Sequence, residues 1–260
     1  MELNITREHS QEYEFKYQKT SVYKSKKTTA VKSEGTFLLK LDFEEDFYMT
    51  FHSKKYVSDA KRKLVFSPIK FKYDFDSNVF LIKNRDFLKI HWNKFKEANR
   101  SNKSNTMLYL YEQLYFRIPL GLEYDLLSNG AYFPFFANTY KKHFEIGDII
   151  SGMSWVHTPL SLPFKIDYVV ESISETEINL YGIIYLDDEN LIRLLADKKF
   201  QKHAKPYHYS KDFSIVSDIK SIYDVNTGYL KFSNFSLKIF SENEEIDEFV
   251  ISSVSSKMQN

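Results

Sequence analysis

The chain has 260 residues, which suits one large β-rich domain or two smaller ones. Hydrophobic residues make up 43% of it and are weighted towards 23 Phe and 19 Tyr, which favour pleated, half-buried sheets over helical bundles. The net charge of +1 excludes a global field that would recruit nucleic acid, and the lack of cysteine excludes disulfides, thiolate metal sites and a cysteine nucleophile.

The chain shows no targeting or membrane-spanning pattern. Residues 1–8 have no basic segment followed by an apolar one, and no later stretch approaches the roughly 18 uninterrupted apolar residues of a membrane span. We therefore expect a soluble, cytoplasmic protein. A mature lipoprotein without its signal and lipidated cysteine would look the same and would lie in the periplasm or at the outer membrane.

Alternation of apolar and polar residues predicts strands in the first third of the chain. The predicted strands are residues 11–18, 37–43, 47–51, 69–75 and 79–83. The lysine-rich residues 19–32 are interpreted as a mobile loop or a strand edge guarded by charge. The basic residues between 54 and 63 are interpreted as a solvated connection, with a phosphate-binding surface as the alternative.

The period then changes to that of a helix. Leu88, Trp92 and Phe95 recur at helical spacing and predict a helix over residues 85–99, with Asn84 as its N-cap and Trp92 buried. A second helix is predicted over residues 105–115, ending before Pro119.

Strand patterns resume after residue 140. Residues 178–186 are apolar on both faces, which favours a strand covered on each side. Asp224, Asn226 and Gly228 predict a hairpin turn, and a change of parity in the returning strand predicts a β-bulge near Ser233.

These elements predict an α+β protein dominated by antiparallel β structure, with one or two curved sheets and both helices packed on a concave face. We expect a single domain over residues 1–260. The alternative is a two-lobed division near residues 131–140.

Residues 120–136 are apolar and aromatic without a regular period. A loop of this composition is expected to tuck under the sheet, to line a pocket or to meet a partner. Its rings are of the kind found at binding hot spots. The candidate binding residues are Tyr124, Tyr132, Phe133, Phe135 and Phe136. The alternative is that these rings only plug one end of the sheet.

Motifs for catalysis or metal binding are missing from the sequence. His203 and His208 are five residues apart, which places them on one face of neither a helix nor a strand, and no acidic residue lies between them. The stretch from Gly152 to Ser154 lacks the second glycine of a nucleophile elbow. We therefore expect no metal, no cofactor and no enzymatic activity.

Several features stand in a particular order along the chain. They are residues 84–88 leading into a helix, Gly147 and Asp148 before a strand with Trp155, residues 164–173, and a closing hairpin at Thr227 and Gly228. This order is similar to that of uncharacterised Bacteroidota β-rich proteins. Their layout resembles lipoprotein-carrier folds, which implies a strongly curved antiparallel sheet around helices or an apolar ligand. The resemblance carries over no functional residue.

These observations suggest two functions, and a third is kept as a further alternative. The first is a non-enzymatic cytosolic protein-binding module, such as an accessory, adaptor or immunity component of a bacterial secretion or defence system. The second is a carrier of an apolar ligand held between sheet and helices. The third, a hydrolase without familiar motifs, would need a cluster of polar residues that the sequence does not reveal.

Overall fold

The computed structural model describes residues 10–23, 27–43, 47–58, 66–74, 79–99, 105–117, 120–128, 132–136, 139, 143–157, 162–189, 214–241 and 246–257. The strands are β1 (Ser10–Tyr23), β2 (Lys27–Phe43), β3 (Phe47–Ser58), β4 (Ile69–Asp74), β5 (Val79–Ile82), β6 (Ile149–His157), β7 (Leu162–Ile173), β8 (Glu177–Leu186), β9 (Ser214–Asp224), β10 (Leu230–Ser241) and β11 (Ile246–Ser256). The helices are α1 (Arg85–Ala98), α2 (Asn105–Phe116), α3 (Gly121–Ser128) and a 3₁₀ helix (Phe133–Phe136).

The described strands form one eleven-stranded sheet in the order β5-β4-β3-β2-β1-β11-β10-β9-β8-β7-β6. Each strand pairs antiparallel with its neighbours, so the prediction of a predominantly antiparallel β protein is confirmed. The two halves of the chain are two meanders that meet where β1 pairs with β11. The helices therefore lie in the connection between the two edge strands, β5 and β6.

One face of the sheet carries the hydrophobic core. In β3, Phe47, Met49 and Phe51 are buried, whereas the residues between them are partly exposed. The register keeps buried residues opposite each other, as with Tyr13 and Phe37, because side chains alternate faces with a period of two. Sequence alternation therefore sets which face of the sheet is buried.

Contacts at the two sheet edges show that the sheet is strongly curled. Its edge strands are ten inter-strand spacings apart, which is about 48 Å in a flat sheet. Helix α3 has eight residues and a length of about 12 Å, yet it contacts both β5 and β6. The sheet must therefore curl until both edges reach the same helix.

Two of the predicted loops are strands. Residues 19–23 continue β1 and residues 27–32 begin β2, and both pair along their length. Lys54 and Lys55 likewise belong to β3. The loop prediction was wrong because pairing with β1, β2 and β11 satisfies the backbone of these segments, whatever their side chains.

The helix boundaries and the N-cap residue agree with prediction, but the expected side-chain cap bond does not form among the residues that the structure describes. Asn84 accepts a hydrogen bond from the Lys70 amide at 3.0 Å and donates to the Pro68 carbonyl at 2.7 Å. It makes no side-chain cap bond within the described residues. Asn84 therefore lies at the predicted N-cap position, but its side chain fastens the start of α1 to β4 instead of capping the helix.

Trp92 is 2% exposed, which confirms its predicted burial. Its ring lies 5.5 Å from that of Tyr115, so α1 and α2 pack against each other through aromatic side chains. Phe95 is half-buried, and Phe87, the residue before Leu88, is 41% exposed.

Strand β8 differs from its prediction. It alternates instead of being covered on both faces, and Ile183 is 47% exposed. The bulge predicted near Ser233 is present in the β9–β10 ladder, between Leu230 and Phe232. The predicted hairpin turn is confirmed: Asp224 Oδ1 accepts from the amides of Asn226 and Thr227, and Gly228 has a φ of +70°.

Some predictions fall outside the described residues. These are the basic residues 61–63, and His203 and His208. Within the described part of the chain, no helix has the length and apolar character that a membrane crossing requires.

Candidate ligand-binding interior

Helix α3 meets edge strand β5 through polar bonds. Glu123 is 2% exposed, and its Oε1 accepts a hydrogen bond from the Ile82 amide at 3.0 Å. Its Oε2 pairs with the Arg85 guanidinium. The Glu123 carboxylate on α3 therefore accepts a backbone hydrogen bond that a further strand would otherwise accept at this edge of the sheet.

Arg85 connects the helices as well. Its Nη1 donates to the carbonyl of Tyr115 at the end of α2, at 2.7 Å. The same guanidinium therefore holds α2 and α3 beside the start of α1. Beside these groups is an open surface pocket of about 420 Å³. It is lined by Leu81, Ile82, Lys83, Arg85, Phe116, Arg117, Leu120 and Glu123.

The 3₁₀ helix inserts an aromatic side chain onto the buried face of the sheet. Phe135 is 1% exposed, and its ring centroid lies 4.9 Å from Tyr13, 5.6 Å from Phe37 and 5.5 Å from Phe51. On the opposite side, the Tyr223 hydroxyl of β9 donates to the Pro134 carbonyl. The segment therefore lies between the β1–β3 part of the sheet and β9.

The candidate binding residues are placed as follows. Tyr132 is half-buried, with its ring 5.1 Å from that of Phe51, and Tyr124 is half-buried on α3. Phe133 and Phe136 belong to the 3₁₀ helix, and their side chains lie outside what the structure describes. Phe135 and Tyr132 are thus brought together on Phe51, with Phe135 fully inside.

A cluster of ionisable residues lies inside the same curl. His157 of β6 and Glu248 of β11 are five strand positions apart, about 24 Å in a flat sheet. Their Nε2 and Oε1 atoms are nevertheless 2.5 Å apart, and neither side chain is more than 1% exposed. Lys19 Nζ of β1 is 2.8 Å from the same Oε1, and Ser21 Oγ donates to Oε2 at 3.4 Å.

The pKa directions define the charges of this cluster. Burial lowers the pKa of His157 below its ordinary 6.5 and outweighs the nearby Glu248 carboxylate, so the imidazole is neutral at pH 7. Burial alone would raise the pKa of Glu248, but the hydrogen bond from His157 and the charge and hydrogen bond of Lys19 hold it below its ordinary value. Glu248 is therefore ionised, and Lys19 supplies the compensating charge.

Asp125 and Tyr17 lie around this cluster of ionisable residues. Asp125 of α3 acts electrostatically on both His157 and Tyr17, and its Oδ2 accepts a hydrogen bond from the Tyr115 hydroxyl at 3.0 Å. Burial, with a smaller effect from Glu248, raises the pKa of Tyr17. The cluster thus lies where α3 faces β1, β6 and β11.

Sequence reasoning missed these residues. Lys19 is in phase with Tyr13, Phe15 and Tyr17, and Glu248 is in phase with Val250 and Val254. This alternation in the sequence indicates that Lys19 and Glu248 face the interior. It does not indicate which residues they contact there. Among the described residues, no three His, Asp or Glu side chains come together as metal ligands would.

The fold and this interior define a class: a curled antiparallel sheet around a mostly apolar interior that contains a small polar cluster. No family model matches the chain, and no curated protein matches it.

Several solved structures are similar to the chain. One, titled for lipid–protein interactions in lipovitellin, has a TM-score of 0.42 at 8% identity; the match covers 98% of this chain and 26% of that one. The chain therefore spans about a quarter of the lipovitellin chain. A DUF1329 family protein from Desulfovibrio piger has a TM-score of 0.23 at 9% identity, covering 96% of this chain and 88% of that one.

A putative outer membrane lipoprotein-sorting protein domain from Vibrio parahaemolyticus has a TM-score of 0.20 at 7% identity, covering 96% of this chain and 87% of that one. A lipoprotein-sorting protein is thus among the structures to which this chain is similar, while the resemblance to Bacteroidota proteins stays a prediction. At these TM-scores the similarities carry no functional weight, and the function must come from the chain's own geometry.

Proposed function

We propose that this protein carries an apolar ligand inside its curled sheet, beneath the helical connection between β5 and β6. The observation that supports this most directly is the way in which the sheet ends. Its edge strands meet α3 instead of each other, and the bonds described on the β5 side are those of Glu123 with the Ile82 amide and Arg85. Separating α3 from β5 breaks these bonds, whereas separating two paired strands breaks a whole ladder.

The aromatic segment is the part that we propose a ligand replaces. Phe135 and Tyr132 occupy the space against Tyr13, Phe37 and Phe51. An apolar chain can make the same contacts, because burial of apolar surface is non-directional. In this proposal, Tyr124, Tyr132, Phe133, Phe135 and Phe136 line the binding site, and α1 and α2 pack over the concave face.

The test is direct detection of a bound apolar molecule. Native mass spectrometry of the purified protein should show an added mass that is lost on extraction with organic solvent. The extracted protein should then bind the fluorescent probe N-phenyl-1-naphthylamine saturably. If no mass is added and the probe does not saturate, the protein is not a carrier.

One observation supports the second candidate function, binding of another protein. Ile90 of α1 is 55% exposed and Tyr109 of α2 is 60% exposed, so the helices present apolar groups to the outside. An affinity pulldown with mass spectrometry would favour this role if Ile90→Asp and Tyr109→Asp together abolished a partner that the wild type retains. The cytoplasmic location expected from the sequence stays a prediction for either function.

A further inference from the structure

The His157 imidazole has one nitrogen whose bonding the protein leaves open. Its Nε2 bonds to Glu248, whereas Nδ1 is buried and has no hydrogen-bond partner within the described residues. The ring stacks on Phe164 at 5.1 Å, which helps to fix its orientation. A buried polar atom without a partner costs free energy, so a ligand that supplied one would gain affinity.

The chemistry of the pair decides which kind of bond Nδ1 can make. An ionised carboxylate only accepts hydrogen bonds, so Nε2 must carry the proton that it donates to Glu248. In a neutral imidazole the other nitrogen, Nδ1, then holds a lone pair. His157 therefore offers a hydrogen-bond acceptor to the interior.

The surrounding charges exclude an anionic partner. Glu248 and Asp125 are the acidic groups that act on His157, and Lys19 is the cation, already paired with Glu248 at 2.8 Å. The balance of these three side chains is negative when both carboxylates are ionised. A carboxylate or phosphate at Nδ1 would meet an acceptor and net negative charge at once.

We propose that Nδ1 of His157 binds the polar end of the carried molecule, and that this end is an uncharged hydrogen-bond donor. The ligand class is a long-chain alcohol, acylglycerol or amide rather than a fatty acid. This rests on the proposed carrier function, and it adds the selectivity of the same interior. His157 acts as a binding residue, while Lys19 and Ser21 position Glu248.

The experiment is displacement of N-phenyl-1-naphthylamine at pH 8 by three matched ligands: 1-dodecanol, 1-methoxydodecane and dodecanoate. They share a twelve-carbon chain but present a donor, an acceptor without a donor, and an anion. We expect dodecanol to displace the probe about fivefold more tightly than the ether, the ratio that one net hydrogen bond supplies, and dodecanoate to be the weakest. Equal or tighter binding of the ether, or tightest binding of dodecanoate, would overturn the proposal.

Two variants separate His157 from general hydrophobicity. His157→Gln keeps an N–H donor for Glu248 but removes Nδ1. Its carbonyl oxygen is bonded to the same carbon as the donor nitrogen and does not lie at the Nδ1 position, so the preference for dodecanol over the ether should fall. His52→Gln changes an exposed histidine and should keep that preference. An unchanged preference in His157→Gln would overturn the assignment to Nδ1.

A variant-free measurement covers the case in which His157→Gln does not fold. In the wild type labelled with ¹⁵N-histidine, dodecanol should shift the Nδ1 resonance of His157, and 1-methoxydodecane should not. Equal shifts with both ligands would count against the assignment. If the probe itself does not bind, the carrier function fails together with this inference; if all three ligands bind without the predicted order, only this inference fails.

Discussion

His157 lies inside the protein beside an ionised carboxylate, and this arrangement links stability to pH. Burial holds the pKa of His157 below 6.5, so the unfolded chain takes up a proton that the folded protein resists. The resulting stability is present above pH 6.5 and decreases as the pH falls. The lowered pKa of Glu248 adds stability above its ordinary 4.5, and this stability is lost as the pH falls below 4.5.

We therefore predict that the melting temperature falls between pH 7 and pH 5, and falls further below pH 4.5. The measurement is thermal unfolding followed by circular dichroism from pH 8 to pH 3. His157→Gln should have a smaller change between pH 7 and pH 5, whereas His52→Gln should follow the wild type. A wild-type melting temperature that is constant from pH 7 to pH 5 contradicts the buried, neutral histidine.

Trp92 provides a second prediction at this scale. It is buried between Tyr115 and Phe116, with ring centroids at 5.5 Å and 6.3 Å. Trp92→Ala should lower the free energy of unfolding by about 3–5 kcal/mol, because truncation leaves a cavity between α1 and α2. Asn93→Ala, on the exposed neighbouring residue, should change it by less than about 0.5 kcal/mol. Chemical denaturation measures both, and equal midpoints would show that the helices do not pack as described.

At the scale of elements, the contact between α3 and β5 depends on one buried carboxylate. Glu123→Ala removes both the acceptor for the Ile82 amide and the partner of Arg85. Because Arg85 is 31% exposed and can be partly hydrated, we expect a loss of about 2–3 kcal/mol. Glu123→Gln keeps the acceptor and should lose less.

The matched control is another ion pair between helices. Glu112 of α2 pairs with Lys96 of α1 at 2.7 Å, but both side chains are partly exposed. Glu112→Ala should therefore cost less than about 1 kcal/mol. If the two alanine variants were equally stable, the Glu123 pair would have no special part in holding α3 at the sheet edge.

The 3₁₀ helix gives the fourth prediction. Phe135→Ala should lower stability by about 3–5 kcal/mol and, in the folded fraction, tighten binding of a small apolar probe, because an apolar cavity accepts an apolar guest. Phe249→Ala, on an outward-facing ring that is 38% exposed, should leave probe binding unchanged. If stability falls but probe binding is unchanged, Phe135 only plugs one end of the sheet, which is the alternative interpretation of the sequence.

At the scale of the whole molecule, the pairing of β1 with β11 joins the first and last strands at the middle of the sheet. Strands from both halves of the chain therefore share one hydrogen-bonded ladder. We predict that both halves unfold together, as expected of a single domain over residues 1–260.

The two tryptophans make this measurable. Trp92 lies in the helical connection and Trp155 in edge strand β6, so Trp155→Phe and Trp92→Phe each leave one reporter. In each variant, fluorescence and circular dichroism should give coincident denaturation curves. If fluorescence and circular dichroism separate, the division near residues 131–140 would be favoured.

The sequence by itself determined most of the local structure. Alternating apolar residues placed the strands, the spacing of Leu88 and Trp92 placed α1, and Asp224 with Gly228 placed a turn, because these patterns act over a few residues. They also indicated that residues 120–136 could not remain in solvent, and Phe135 is indeed buried.

The tertiary structure decided what local patterns could not. Only the curl of the sheet brings His157 to Glu248, 91 residues away in sequence, and only strand pairing turns residues 19–23 and 27–32 into strands. Asn84 fits a helix cap by type, yet it bonds to Lys70 and Pro68 because β4 lies within reach. The physical reason is that a side chain's local preference is worth about 1 kcal/mol, and partners brought together by the whole sheet outweigh it.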